Sequence, residues 1–208
     1  MRNERSGQYD GDGYHHVLEL AWDGLLSRGP ERATSDALAR LEDDRIALPF
    51  LGRKAVVDVG SRTMTVDGRS ASVAEGILML HYLAGAGAAF PSGEWISFRQ
   101  LPGGHAYFGA FKKRTIDEIA TLFQHQPRSL LAAAMGLGGT VLSMGDASVR
   151  LDIFPKVPVA VVAWAGDDEI HGSANVLFDT TASEHLPVED LAETGSLVLD
   201  ALSVRPSS

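Results

Sequence analysis

The alternation of apolar and polar residues is clearest over residues 147–153, where Val149, Leu151 and Ile153 alternate with Ser148, Arg150 and Asp152. A period of two with β-branched residues predicts a half-buried strand. Residues 159–164, VAVVAW, are apolar without a break and predict a strand covered on both faces. Pro155 and Pro158 lie between the two and predict an extended crossover or a bulged edge over 154–158. Gly166-Asp167-Asp168-Glu169 reads as a turn, and 175–179 as a returning strand, so residues 145–179 form a meander.

A period near 3.6 marks the helices. Leu18, Ala21, Trp22, Leu25 and Leu26 predict an amphipathic helix over 14–27, and a second is expected near 35–41. Ser72 and Glu75 have capping-box spacing ahead of a helix that is apolar nearly all round and therefore buried. Thr115 and Glu118 have the same spacing ahead of Ile116, Ile119 and Phe123. Residues 128–137 predict a further helix, and Pro187 opens a last one. Short strands are expected at 45–51, 54–59, 63–66 and 95–101, punctuated by glycine-bearing turns. The expected fold is α+β: one domain over 14–202, with a mainly antiparallel sheet packed against about five helices. Residues 1–13 and 203–208 are expected to be flexible ends.

Composition narrows the function classes. The hydrophobic content of 45% and charged content of 22% are those of an ordinary globular protein. A net charge of −9 without a Lys/Arg cluster argues against a nucleic-acid partner and against anionic membranes. The absence of cysteine removes disulfides, thiolate catalysis and sulfur-ligated metal sites. With no apolar run of membrane-spanning length and no signal-peptide pattern at residues 1–13, a cytoplasmic location is expected.

No catalytic motif is present: GxSxG, HExxH, Walker A and GxGxxG are all absent. Two stretches remain as candidates. In the first, Arg99, Gly103, Gly104, His105 and Tyr107 combine aromatic residues with a Gly-Gly pair that permits close backbone approach, either to a ligand or to a packed neighbour. In the second, Asp167, Asp168, Glu169 and His171 have the chemistry of metal ligands, or are a solvated turn. Asp146 and Asp179 complete the polar groups that only the fold can bring together. His81, within the buried helix, reads as a hydrogen-bonded core histidine, and His15-His16 as surface residues.

The blocks EGILMLHYLAGAG (75–87), GEWISFRQLPGGHAYFGAF (93–111), GDASVRLDIFPKVPVAVVAWAGDDEIHGSANVLFD (145–179) and LPVEDLA (186–192) resemble, in that order, the bacterial and archaeal family catalogued as domain of unknown function 3786. The resemblance spans about residues 14–202. It implies no defined activity or cofactor. Some members of that family resemble fusions with a cysteine-rich iron–sulfur module of corrinoid systems, which implies a redox or corrinoid-system protein as partner only by association. Two functions are therefore expected as alternatives. One is a small-molecule or cofactor-binding module, or a docking accessory to a redox enzyme. The other is a metal-assisted enzyme with a carboxylate–histidine site.

Overall fold

The computed structural model of the chain describes residues 11–204, with Asp168 and Ile170 excepted. The expected flexible ends therefore fall largely outside the described residues. Helix α1 (Gly11–Arg28) and α2 (Pro30–Asp36) are followed by five short strands: β1 (Arg40–Glu42), β2 (Arg45–Phe50), β3 (Arg53–Asp58), β4 (Thr63–Val66) and β5 (Arg69–Ser70). Each pairs antiparallel with the next, giving one five-stranded sheet in chain order. Helix α3 (Val73–Gly85) crosses to β6 (Trp95–Ser97) and a 3₁₀ turn at Phe98–Gln100. Helices α4 (Gly104–Phe111) and α5 (Asp117–Phe123) are joined by a π turn at Lys112–Ile116. Next come α6 (Ser129–Met135), β7 (Thr140–Val141), β8 (Ala147–Phe154), β9 (Val157–Trp164), β10 (Ser173–Asp179) and α7 (Val188–Ser203). The second sheet has the order β6-β10-β9-β8-β7, again antiparallel throughout.

The fold is α+β with antiparallel strands, as the patterning predicts, but the strands divide between two sheets. The sheets meet where the Leu51 N–H donates to the Ile153 carbonyl at 2.9 Å. There Phe154 stacks on Phe50 (ring centroids 5.2 Å apart) and on Tyr82 (4.2 Å). One continuous apolar cluster runs from Trp22 and Leu25 on α1, through both sheets, to Leu191 and Leu202 on α7. Strand β9 is buried from Val157 to Ala163 between β8 and β10, as its unbroken apolar run requires. No helix among the described residues is long and apolar enough to cross a membrane.

Four local expectations are corrected. The second helix ends at Asp36 rather than running over 35–41, because Leu38 adopts φ +55° and turns the chain into β1. Of the two forms expected over 154–158, the crossover is replaced by a tight hairpin, in which Phe154 pairs with Val157, while the expected bulge is present as a register shift between Asp152 and Phe154 beside Pro158, where proline has no N–H to give. Thr115 does not open a helix. It is buried in the π turn between α4 and α5, where the bare backbone of Gly195 on α7 makes room for its side chain. The strand expected over 95–101 stops at Ser97 and becomes a 3₁₀ turn.

Candidate ligand-binding cleft

The first candidate stretch is packed against its own chain. Gly103 has φ +77° and caps α4, and a Cβ on it would lie 3.2 Å from the Val188 Cγ1. A Cβ on Gly104 would stand 1.9 Å from the Phe98 carbonyl oxygen, so the glycine pair serves a close approach within the fold. The Arg99 Nε donates to the His105 Nδ1 at 3.2 Å, and its guanidinium lies 5.8 Å from the Phe108 ring centroid. The Tyr107 hydroxyl donates to Glu189 Oε1 at 2.7 Å, anchoring α4 to the first turn of α7. Arg99, His105 and Tyr107 are all exposed.

In the acidic turn, Asp167 Oδ1 accepts the Glu169 N–H at 2.9 Å, an ordinary turn bond. Glu169 and His171 are exposed, and Asp168 lies outside the described residues. Among the described residues no three His, Asp or Glu side chains stand close enough to share a metal ion.

Three buried polar side chains, Lys156, Asp179 and His185, hold the loop that follows α3. Lys156 is only 3% exposed; its ammonium donates to the Gly87 carbonyl at 2.8 Å and lies 4.7 Å from the Phe90 ring centroid. The buried His185 accepts the Gly87 N–H through Nδ1 at 3.1 Å, which puts its proton on Nε2. That Nε2 is buried without a partner among the described residues. Burial, with Lys156 next, pushes the His185 pKa down. Burial works to raise the Asp179 pKa, but bonds from Thr181, Ser92 and Gly93 outweigh it and hold the carboxyl below its usual value. Across the neighbouring seam, His81 Nδ1 and Asp190 Oδ2 share a 2.7 Å hydrogen bond that joins α3 to α7 and raises the His81 pKa against its burial.

The concave surface lies elsewhere. A cleft of about 600 Å³ is lined by residues 125–129, Asp146 and Ala165. Three segments build it. The connection between α5 and α6 supplies His125, Gln126, Pro127, Arg128 and Ser129. The turn before β8 supplies Asp146, whose N–H donates to the Ala163 carbonyl at 3.1 Å. The loop after β9 supplies Ala165, whose N–H donates to Asp146 Oδ2 at 2.8 Å. The Gly166 N–H donates to the Gln124 carbonyl at 3.0 Å, so the acidic turn springs from the cleft's rim. The side chains of His125 and Arg128 are exposed and make no hydrogen bond or ion pair among the described residues. A second cavity of about 480 Å³ shares His125, Gln126 and Ser129 and continues along Leu122, Ala132, Leu202 and Val204. The whole is a trough lined by both polar and apolar side chains. It gathers a guanidinium, an imidazole, a hydroxyl and a carboxylate around one volume.

Asp146 belongs to the polar set legible in the sequence. His125 and Arg128 do not, because a polar linker containing proline between two helices has the composition of any solvated loop. Their one signal is an Arg and a His three residues apart with no acidic residue between them.

The chain belongs to the family "Domain of unknown function (DUF3786)", whose model matches residues 29–201. No curated protein and no solved structure matches it significantly.

Proposed function

We propose that this domain is a binding module for a small organic molecule carrying an anionic group, which docks in the trough at His125–Arg128–Asp146. The observation that carries the reading is the cleft of about 600 Å³ with an arginine that has no partner among the described residues, continued by a second cavity lined by both apolar and polar side chains. That volume falls within the range of ligand sites, about 300–1,000 Å³. An arginine left without a carboxylate partner in a chain of net charge −9 is available to pair with the anionic group of a ligand. The neighbouring Asp146 selects against ligands with excess negative charge and favours one that brings a donor as well as an anion. The metal-assisted alternative needs three ligands around one point, and no such group stands among the described residues.

The test is a thermal-shift screen of the purified chain against carboxylic acids, amino acids and sugar phosphates, with native mass spectrometry for molecules that copurify. A binder whose effect disappears in Arg128→Ala and survives in Arg99→Ala supports the assignment. A binder lost in Arg99→Ala and retained in Arg128→Ala moves the site to the α4 segment and refutes it.

A further inference from the structure

A second concavity, at the end of the first sheet, has a different electrostatic character. It holds about 480 Å³ between β1 and the β2–β3 hairpin, and Arg40, Arg53 and Lys54 line it together with Glu42. Strand register explains the convergence. Arg40 pairs with Ala47 and Lys54 with Pro49, on opposite sides of β2. Ala47 and Pro49 are two residues apart and so share one face, giving a floor of small side chains with a cation on either flank. Arg53 pairs with Phe50 and so lies on the opposite face, its guanidinium 5.5 Å from the Phe50 ring centroid; it borders the cleft at the hairpin end.

The charges in this cleft are not neutralised from within. The side chains of Arg40 and Lys54 make no hydrogen bond or ion pair among the described residues. Asp67 accepts the Lys54 backbone N–H at 3.0 Å. The Arg53 Nη2 lies 3.6 Å from Glu75, but both Nη atoms of Arg69 already hold that carboxylate at 2.6 and 2.9 Å. The Arg53 Nε is buried with no partner among the described residues. Three cations against the one lining carboxylate, Glu42, leave a local excess of two positive charges.

We infer that this cleft is a phosphate site, taking the phosphoryl end of a small phosphate-bearing molecule. The Arg40 guanidinium fork and the Lys54 ammonium match the acceptor oxygens of a phosphate group, with the Arg53 charge at the cleft's border, and the phosphate dianion matches the local excess of two charges. A monocarboxylate satisfies only half of that excess. The volume admits a phosphate with a small organic remainder. This site is separate from the trough at Arg128 and stands or falls independently of it.

Pyrophosphate titrated into the full chain by isothermal calorimetry tests the site. The expected result is saturable one-site binding with a Kd below about 1 mM. Raising the salt from about 20 to about 150 mM weakens it, because the contacts are ionic and half exposed. Arg40→Ala/Lys54→Ala, two exposed substitutions expected to leave the thermal unfolding curve unchanged, weakens binding about tenfold or more. Arg53→Lys, which keeps the charge but loses the fork, weakens it less, and Arg128→Ala leaves it unchanged. No binding at millimolar pyrophosphate overturns the inference. So does undiminished binding by the double variant, or a loss in Arg128→Ala equal to that in the double variant.

Discussion

Replacing Glu75 with glutamine tests how the first sheet is joined to α3. Glu75 is nearly buried, and its carboxylate does two jobs. Oε1 and Oε2 accept from Arg69 at 2.6 and 2.9 Å, and Oε2 also accepts the Ser72 N–H at 2.9 Å to close the capping box. The Arg69 hydrogen bonds, against the opposing effect of burial and aided by the Ser72 N–H, take its pKa from an ordinary 4.5 to about 2. At about 1.4 kcal/mol for each tenfold change in proton affinity, that shift corresponds to at most about 3.5 kcal/mol. The Arg69 side chain is 51% exposed, so solvent screening reduces the figure to about 2 kcal/mol. Because the folded pKa is the lower one, this stabilisation is complete above pH 4.5 and is lost as the pH falls from there towards 2. Glutamine keeps an oxygen for the Ser72 N–H but removes the charge and the second acceptor that Arg69 uses. Urea unfolding followed by circular dichroism should show the variant about 2 kcal/mol less stable at pH 7, with the deficit less than half as large at pH 3. A deficit equal at both pH values, or none at pH 7, refutes the ion-pair account.

Three further outcomes follow from the packing. Gly104→Ala drives a methyl group into the Phe98 carbonyl and should cost about 3 kcal/mol, a fall in Tm of roughly 6–12 °C; an unchanged Tm contradicts the close approach. The His81 ring should titrate by NMR with a midpoint above 6.5, and Asp190→Asn should bring it down, since burial then acts alone. With its folded pKa raised, the His81–Asp190 contribution is complete below pH 6.5 and fades as the pH climbs through the raised value; a midpoint insensitive to Asp190→Asn contradicts the pairing. For His185 the sign is opposite. Its lowered pKa, set by burial and Lys156 against Glu184 and Asp179, means that stability falls as the pH drops below 6.5. Protonated Nδ1 would confront the Gly87 N–H as a second donor, so amide exchange protection at Gly87 should fall at mildly acidic pH, and constant protection would refute the assigned tautomer.

The second sheet was largely legible because its signals are local. The alternation at Val149, Leu151 and Ile153 and the unbroken run through β9 each specify how a strand is covered before any partner is known. The buried α3 and its Ser72–Glu75 box were legible for the same reason. The misreadings occur where distant residues decide. The division into two sheets is made at Phe50–Phe154, over a hundred residues apart in the chain. The continuity from α4 through α5 depends on Gly195 accepting the side chain of Thr115, which no local pattern encodes. The same holds for function: Gly103 and Gly104 announced a close approach, but only the fold shows that they meet Val188 and Phe98. The trough joins a helix linker, a hairpin turn and a loop end, none of which has a periodic signature.

The central claim is that ligands enter the trough at His125–Arg128–Asp146. Amide chemical-shift mapping of the labelled chain, titrated with whichever anion gives the largest thermal shift, tests it most directly. The account predicts the largest perturbations at His125, Gln126, Arg128, Ser129, Asp146 and Ala165, with smaller ones along Ala132 and Val204. Perturbations centred on Arg99, His105 and Tyr107, with residues 125–129 unmoved, would contradict it.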